Sequence, residues 1–436
     1  MLEMGYLSFP VLLVLIFLRA PIGLAMMLCG IGGLYLAMGG PTVFLAKLKT
    51  ETYTTFSSYS LSIIPMFLLM GQFATLSGMS SALFKAAESW LGHRRGGVAM
   101  AAVGACAGFG AICGSSLATA ATMSRVALPE LRRYGYSGGF STATLAAGGT
   151  LGILIPPSVI LVIYAILTEQ NIAKLFLAAF IPGVLAAIGY MITISIYVRL
   201  YPDAAGTREP QPYAERIRAL LDVWPVLIVF LVVVGGIYLG WFTPTEGAAV
   251  GAAGTGLIAL LSGNLNWKVF ADSILSTAMS TAMIFFIVLG AGFYNSFLAL
   301  SQVPQELSSF VVSQGFSPWV VLMLILVFYL IFGCLMDSLS MILLTIPIFF
   351  PVISALDFGM TPEHLAIWFG ILVLIVVEVG LITPPVGMNL FIINAMDRET
   401  PMTSTYKSVL FFVGSDIVRV AILVMFPAIT LFLLPA

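Results

Sequence analysis

Most of the chain consists of apolar runs separated by short polar segments. Runs such as Leu175–Ile196, Val226–Trp241 and Val409–Leu434 approach the ~20 residues that a helix needs to cross a bilayer. Others, such as Ile63–Leu76 and Val159–Leu167, are too short to cross alone, which is typical of re-entrant hairpins and discontinuous helices. Because the runs are continuous and do not alternate in short segments, they predict helices and not a β-barrel.

The composition agrees with this pattern. Of 436 residues, 60% are hydrophobic and 8% are charged, whereas a soluble protein has about 25% charged residues. We therefore expect an integral membrane protein that is surrounded by a lipid bilayer. The net charge of −1 and the lack of a basic tract give no indication of a nucleic-acid partner. The four cysteines have no CxxC spacing and there are only two histidines, so we expect neither a His-rich metal site nor a cofactor.

The distribution of charge predicts an orientation. Positive residues are concentrated in Lys85–Arg95 and Arg125–Arg133, and short loops rich in Lys and Arg favour the cytoplasmic side. The one long polar stretch, Tyr201–Asp222, lies near the middle of the chain, and its second half could form a short surface helix. Met1–Ala20 lacks a basic leading region and a cleavage site, so we interpret it as a first membrane helix.

A short motif occurs twice. GILIPP at 152–157 recurs as GLITPP at 380–385, 228 residues later. Proline removes a backbone donor and clashes with the preceding turn, so each pair breaks a helix. Upstream lie two small polar patches, CGSSLATAATM (113–123) and MDSLSMILLT (336–345). When Ser115 is aligned with Asp337, Ser116 falls on Ser338, and the first proline follows 41 residues later in one half and 47 in the other.

Two matched broken helices are typical of a secondary transporter that is built from repeats. Their freed carbonyls can coordinate a cation, and their half-helix N-termini can face an anionic substrate. Unsatisfied backbone groups cost several kcal/mol each in lipid, so protein, water or ligand must cover each break. The alternative interpretation is that these small residues only let helices pack closely.

Five stretches make the chain resemble the large membrane subunit of the tripartite ATP-independent periplasmic (TRAP) transporters: CGSSLATAATM (113–123), GTLGILIPPSVILVIYA (149–165), TPTEGAAVGA (243–252), GCLMDSLSMILLTIPIFFPV (333–352) and GLITPPVGMNLFIINAM (380–396). The resemblance implies a multi-pass protein of the bacterial inner membrane. It implies import of an organic acid (a dicarboxylate, keto acid or sialic acid) by a sodium gradient, through an elevator mechanism. It also implies two partners, a small four-helix membrane subunit and a periplasmic substrate-binding protein. Many relatives fuse the small subunit to the large one. This chain starts directly with the large subunit, so we expect a separate small one.

The fold class expected from these observations is an all-α polytopic membrane protein. It would contain two inverted repeats with re-entrant hairpins and discontinuous helices, arranged as elevator-type transport and scaffold domains. The expected divisions are N-terminal scaffold helices (1–50), a first repeat (51–200), a central linker with scaffold helices (201–267) and a second repeat (268–436).

Candidate ligands follow from the preference of sodium for hard oxygen donors. The first half offers Ser115, Ser116 and the backbone at Gly149, Gly152 and Ile155, and the second offers Asp337, Ser338, Gly380 and Thr383. The candidate substrate contacts are Thr119, Pro157 and Asn389. Some members of the family carry an acidic residue at the position of Thr119, and this chain differs from those members in having a threonine there. Packing by small residues and helix capping by Ser, Thr or Asp are the alternatives.

Two further acidic residues lie beside apolar runs. Glu246 follows Thr243 and Pro244, which predicts a helix start with a capping carboxylate; a scaffold contact is the alternative. Glu378 lies two residues before Gly380 inside an apolar run, and ionisable residues in membrane segments mark functional sites by default. The alternative interpretation is that the Glu378 charge is paired within the helix bundle or reaches a water-filled cavity.

Other functions fit less well. An intramembrane serine protease needs a His within the membrane, but His93 lies in a basic loop and His364 follows TPE. A diaspartyl protease needs two Asp residues in apolar helices; Asp337 qualifies by location, but Asp416 lies in VGSDIVRV without a matching motif. The chain contains no GxxxxGK[ST], so transport must draw on an ion gradient. We therefore expect no enzyme, and an ion-coupled anion transporter that works without a binding protein is the main alternative.

Overall fold

A computed structural model describes residues 1–434, and every regular element in this part of the chain is helical. The helices up to the central polar stretch are α1 Leu2–Phe17, α2 Ile22–Met38, α3 Thr42–Ser57, α4 Ile63–Leu76, α5 Met79–Leu91, α6 Gly97–Cys113, α7 Ser116–Arg133, α8 Gly138–Leu154, α9 Val159–Thr168, α10 Ile172–Leu200 and α11 Tyr213–Leu221. Those that follow are α12 Trp224–Phe230, α13 Gly236–Tyr238, α14 Pro244–Leu261, α15 Trp267–Ser301, α16 Val303–Ser313, α17 Pro318–Gly333, α18 Ser338–Ser354, α19 Pro362–Gly380, α20 Met388–Met396, α21 Met402–Met425 and α22 Pro427–Leu431.

The helices have the lengths expected of a multi-pass membrane protein. Four of them, α10, α15, α19 and α21, are long and apolar enough to cross a bilayer. Three pairs of helices that bend at short breaks would each make one more span, and one of these pairs is α8 with α9, bent by 44° at the first Pro-Pro motif. The predicted all-α polytopic fold is confirmed.

Both polar patches form the tips of helical hairpins. The first hairpin is α6–α7 and the second is α17–α18. Gly114 closes α6 with a φ of 65°, a left-handed conformation that favours glycine. Ser115 and Asp337 then cap the second arms, because their side chains accept hydrogen bonds from the backbone N–H groups of Ala118 and Ser340.

Each Pro-Pro motif interrupts a helix shortly after a hairpin. The chain runs from α8 through an extended Ile155 into α9, whose first turn is capped by Ser158. In the second half, α19 ends at Gly380 and α20 begins at Met388. Both Pro-Pro peptide bonds are cis. The order of hairpin, helix, break and short helix is thus the same in the two halves.

The two broken helices run in opposite directions. Arg132, just before α8 begins, forms an ion pair with Asp397, just after α20 ends. Lys174, just after α9 ends, lies 2.6 Å from Glu363, at the start of α19. The α8–α9 pair therefore leads from one end of the bundle to the other, and α19–α20 leads back. This is the inverted arrangement that the repeated motif predicted.

The hairpins accordingly enter from opposite ends. The first has its base at the arginine-rich end that contains Arg132, the end predicted to face the cytoplasm. The base of the second is marked by Trp319 in α17, whose ring meets Trp368 in the first half of α19 at a centroid distance of 6.2 Å. The halves interlock as well, since α8 packs against α21, α10 against α19, and α20 against α7 and α8.

One helix was not anticipated from the sequence. Lys47, Lys49 and Glu51 interrupt the apolar pattern of α3, so this segment did not stand out as a membrane element. It packs against α15, where Ser296 Oγ donates to Glu51 Oε1 at 3.3 Å. The division expected at residue 50 falls inside this helix, which continues to Ser57.

The central polar stretch is docked on the first repeat. Its second half forms α11, as anticipated. Arg208 lies 2.9 Å from the buried carboxylate of Glu88 in α5, and Trp90 Nε1 donates to the Arg216 carbonyl at 3.3 Å. Beyond it, Glu246 caps α14 in a reciprocal capping box with Thr243, the role we favoured for this carboxylate.

Candidate functional site

The first hairpin lies directly against the first broken helix. A Cβ atom added at Gly152 in α8 would lie 2.7 Å from the Ser115 carbonyl oxygen and 2.9 Å from the Thr119 Cβ. One added at Gly149 would lie 2.6 Å from the Ala120 Cβ and 3.2 Å from the Ser116 carbonyl oxygen. These two glycines therefore let the start of α7 approach the helix to backbone contact distance.

The second half repeats this contact. A Cβ atom at Gly380 would lie 2.6 Å from the Gly333 Cα, just as one at Gly110 would lie 2.5 Å from the Gly152 Cα. Gly152 and Gly380 open the two matched motifs. Each hairpin therefore packs closely against the glycine, Gly152 or Gly380, at which the helix of its own repeat begins to break.

The tips of both hairpins converge on one carboxylate, that of Glu378. Ser338 Oγ, from the second hairpin, donates to Glu378 Oε1 at 2.6 Å. Ser116, from the first hairpin, lies beside the same carboxylate, outside hydrogen-bonding geometry. Glu378 is completely buried, and its Oε2 has no hydrogen-bond partner. No Lys, Arg or His side chain within residues 1–434 forms an ion pair with it.

Asp337 is a helix cap at the second tip. Its Oδ2 accepts from the Ser340 N–H at 3.1 Å, and its Oδ1 accepts from the Ser340 hydroxyl at 2.6 Å. The side chain is half-buried, and no basic group among the described residues pairs with it. Asp337 therefore does cap the helix, as the alternative interpretation expected. Both of its carboxylate oxygens still keep lone pairs that could bind a cation.

The remaining candidate ligands lie at the breaks. Ile155 and Pro157 are buried in the first break. Thr383 is half-buried in the second break and donates to the Val379 carbonyl at 2.6 Å. Its hydroxyl proton is thus donated back to the end of α19, and the hydroxyl oxygen keeps its lone pairs.

Two of the candidate substrate contacts carry buried oxygens without a hydrogen-bond partner. These atoms are Thr119 Oγ1, which faces Gly152, and Asn389 Oδ1, whose side chain donates from Nδ2 to the Ala146 carbonyl at 3.4 Å. Because unpaired buried oxygens are costly, each position is suited to a ligand donor or a water. They belong to α7 and α20, which pack together.

A second buried carboxylate, that of Asp416 in α21, contacts the first repeat and has a different environment. Thr150 occupies the position equivalent to Glu378 and lies 3.0 Å from the Tyr190 hydroxyl. Tyr190 in turn donates to Asp416 Oδ2 at 2.8 Å, and Arg419 lies 2.7 Å from Asp416 Oδ1. This carboxylate has a guanidinium partner, whereas no guanidinium in the described part of the chain pairs with Glu378. The sequence did not indicate this network, since its members lie on three helices far apart in the chain.

The chemistry of the site is that of oxygen ligands. Within residues 1–434 there is no group of three or more His, Cys, Asp and Glu side chains that could hold a metal ion. The donors gathered at the tips are hydroxyls, carboxylates and backbone carbonyls, which suit a hard cation such as sodium.

Comparisons with known proteins agree with this architecture. The family model described as "Tripartite ATP-independent periplasmic transporter, DctM component" matches residues 9–429. The chain is 37% identical over 387 residues to the C4-dicarboxylate TRAP transporter large permease protein DctM of Pseudomonas aeruginosa. The aligned region covers 88% of this chain and 88% of that one. It is 29% identical over 430 residues to the sialic acid TRAP transporter permease protein SiaT of Haemophilus influenzae, covering 98% of this chain and 68% of that one.

A solved structure shares the fold at low sequence identity. The YdaH transporter of Alcanivorax borkumensis superposes with a TM-score of 0.61 and 14% identity, over 87% of this chain and 89% of that one. The relatives are transporter permeases, which excludes the enzyme alternative. The matching family model spans nearly the whole chain, and the chain therefore belongs to the DctM component of the tripartite ATP-independent periplasmic transporters.

Proposed function

We propose that the chain is the membrane-spanning large subunit of a sodium-driven importer of an organic acid. The observation that carries the proposal is the meeting of two inverted hairpin tips at a buried carboxylate that forms no ion pair within residues 1–434. An importer needs a site that can open to either side, and two tips that enter from opposite ends allow this.

Sodium coupling is supported by the balance of charge. Asp337 lies at the tip of the second hairpin and Glu378 lies in α19, and the sequence contains no Lys or Arg between Lys268 and Arg398. An acidic residue at the centre of a membrane helix costs on the order of 2.5–3.5 kcal/mol on insertion scales. A bound cation offsets that cost. The ligands would come from Ser115, Ser116, Asp337 and Ser338, with backbone at Gly149, Gly152, Ile155, Gly380 and Thr383.

The packing supports an elevator mechanism. The two hairpins, the two broken helices and the long helix that follows each of them (α6–α10 and α17–α21) interlock across the repeats and would move as one transport domain. Outside them, α2 packs along α15, and α4 along α14, as a separate set of contacts that could form the scaffold. A bound ion and substrate would let the tips close, after which the domain would carry both across the membrane.

The partners and substrate class come from the family and its members. We propose a small membrane subunit and a periplasmic binding protein that delivers the substrate. The complex would lie in a bacterial inner membrane. The similarity to a C4-dicarboxylate permease favours a dicarboxylate; a keto acid or a sialic acid is the alternative.

The test is reconstitution in proteoliposomes with radiolabelled succinate. We expect uptake only with the small subunit, the loaded binding protein and an inward sodium gradient. Replacement of sodium by potassium should abolish uptake. Uptake of free substrate without the binding protein would favour the alternative ion-coupled anion transporter. Uptake that is indifferent to the ion would contradict sodium coupling.

A further inference from the structure

The short helix α11 presents an apolar face that the rest of the described chain leaves exposed. Its large apolar side chains are at least half exposed, and they are Tyr213, Ile217, Leu220 and Leu221. In a helix of 3.6 residues per turn, these four positions fall within about 100° of one another around the axis. A stripe of that width is the apolar side of an amphipathic helix, which needs an apolar surface to cover it.

The other sides of α11 are already occupied. Arg216, the one buried residue of the helix, faces α5, where its guanidinium carbon lies 6.0 Å from the centre of the Trp90 ring. Glu215 and Arg218, on the side away from the apolar face, line a charged cavity of about 620 Å³ that also includes Arg133 at the end of α7. The cavity places α11 at the arginine-rich end of the bundle. The apolar face is therefore neither the docked side nor the charged side of the helix.

The apolar face continues into a helix that enters the membrane. Beyond α11, the exposed apolar positions on the same side are Trp224, Leu227, Ile228 and Leu231. With the turns that follow it, up to Tyr238, α12 makes an apolar span that bends by 41° from α11. Since α11 itself carries three charged residues in nine, it does not fit in the hydrocarbon core. Its level is therefore the boundary between acyl chains and headgroups, where Trp side chains such as Trp224 are enriched.

A cluster of positive charge lies at the same level. Arg94 and Arg95 are exposed in the loop after α5, and the sequence contains no acidic residue from 89 to 129. The start of this loop is held against the central polar stretch, because the Arg208 N–H donates to the Gly92 carbonyl at 3.1 Å. Anionic lipids of the cytoplasmic leaflet attract basic groups beside a membrane helix. An apolar face next to basic side chains thus complements a phospholipid surface.

We propose that α11 anchors the central polar stretch to the phospholipid leaflet at the arginine-rich end. Its apolar face inserts among the acyl chains just below the headgroups, and Arg94 and Arg95 bind anionic headgroups beside it. Lipid covers this face, and not a second protein, because the face is continuous with the lipid-facing side of α12. Since α11 is docked on α5, the anchor holds α5 at the same level. The inference goes beyond the proposed function and does not depend on sodium coupling.

The first test locates α11 by fluorescence quenching of the purified chain in phospholipid nanodiscs. A bimane label is attached to a cysteine introduced as Ile217→Cys on the apolar face or as Glu215→Cys on the charged face. Leu231→Cys in α12 is the lipid-exposed reference, and labelling of the native cysteines is measured on the parent chain and subtracted. Brominated phospholipids quench the label from the acyl region, and iodide quenches it from water.

We expect brominated lipid to quench the label at 217 several-fold more strongly than the label at 215, and nearly as strongly as the reference at 231. Iodide should show the reverse order. Quenching of 217 by iodide and not by lipid would place the apolar face in water. Protection of 217 from both quenchers would place a protein partner on it. Either result would overturn the proposal.

The second test concerns the headgroups. Melting temperatures are compared in nanodiscs of phosphatidylcholine alone and of phosphatidylcholine with phosphatidylglycerol. The anionic lipid should raise the melting temperature of the wild type, and it should raise that of the double variant Arg94→Gln, Arg95→Gln by less. In phosphatidylcholine alone the two proteins should melt alike, which controls for folding. An equal rise in both proteins, or no rise in the wild type, would overturn the role of Arg94 and Arg95.

Discussion

Gly380→Ala tests whether the second hairpin must touch the broken helix. A Cβ atom at this position would lie 2.6 Å from both Cα and C of Gly333 and 3.1 Å from the Cys334 nitrogen. Carbon atoms in ordinary contact lie about 3.5–4.0 Å apart, so the two segments must separate by roughly 1 Å. All three neighbours are backbone atoms, and none can move aside by rotating a side chain.

Two effects of opposite sign decide the result. Alanine is favoured over glycine by about 1 kcal/mol in a helix interior, but Gly380 is the last residue of α19, so this gain is smaller. Overpacking costs about 1–3 kcal/mol, and rigid backbone neighbours place the cost at the upper end. We expect a net loss of roughly 1–2 kcal/mol in folding stability. The separation also pulls Ser338 away from Glu378, so sodium-dependent uptake should fall more than stability.

The matched control is Gly104→Ala in α6. Its Cβ would meet only the Met191 Cε, at 3.6 Å, so the substitution should be neutral or stabilising. Both variants are compared by melting temperature, by assembly with the small subunit and by the sodium dependence of uptake in proteoliposomes. If Gly380→Ala transports with the sodium affinity of the wild type, close backbone contact at the second break is not needed, and our account of the site is wrong.

Further predictions concern charge, topology and the first repeat. Asp337→Asn keeps the cap, which Asn forms about as well as Asp, so expression should persist while uptake loses sensitivity to sodium; an unchanged sodium dependence would leave Asp337 with capping alone. Single cysteines at positions 115 and 337, in place of Ser115 and Asp337, should be labelled from opposite sides of the membrane, and labelling of both from one side would contradict the inverted repeats. Tyr190→Phe removes the donor to buried Asp416 and should lower the melting temperature by an amount corresponding to about 1–3 kcal/mol; a stability equal to that of the wild type would show that this bond contributes nothing.

The sequence by itself determined the membrane class, the helical content and the presence of two matched breaks. These follow from local properties: apolar runs, proline chemistry and a repeated motif. It also gave the hairpin tips, because small polar residues interrupt apolar runs there. The sequence did not reveal α3, because charged residues interrupt its apolar pattern and a search for continuous hydrophobic runs therefore misses it.

Only the tertiary structure decided which residues meet. Ser116, Ser338 and Glu378 come from three helices and share no sequence period, so their convergence depends on how the inverted repeats interlock. Glu378 and Asp416 both lie within long helices and are both buried. Packing distinguishes them, because it places a guanidinium beside Asp416 and the Ser338 hydroxyl beside Glu378. The charge balance of a buried group is set by its neighbours in space, and these are long-range contacts that a linear pattern does not encode.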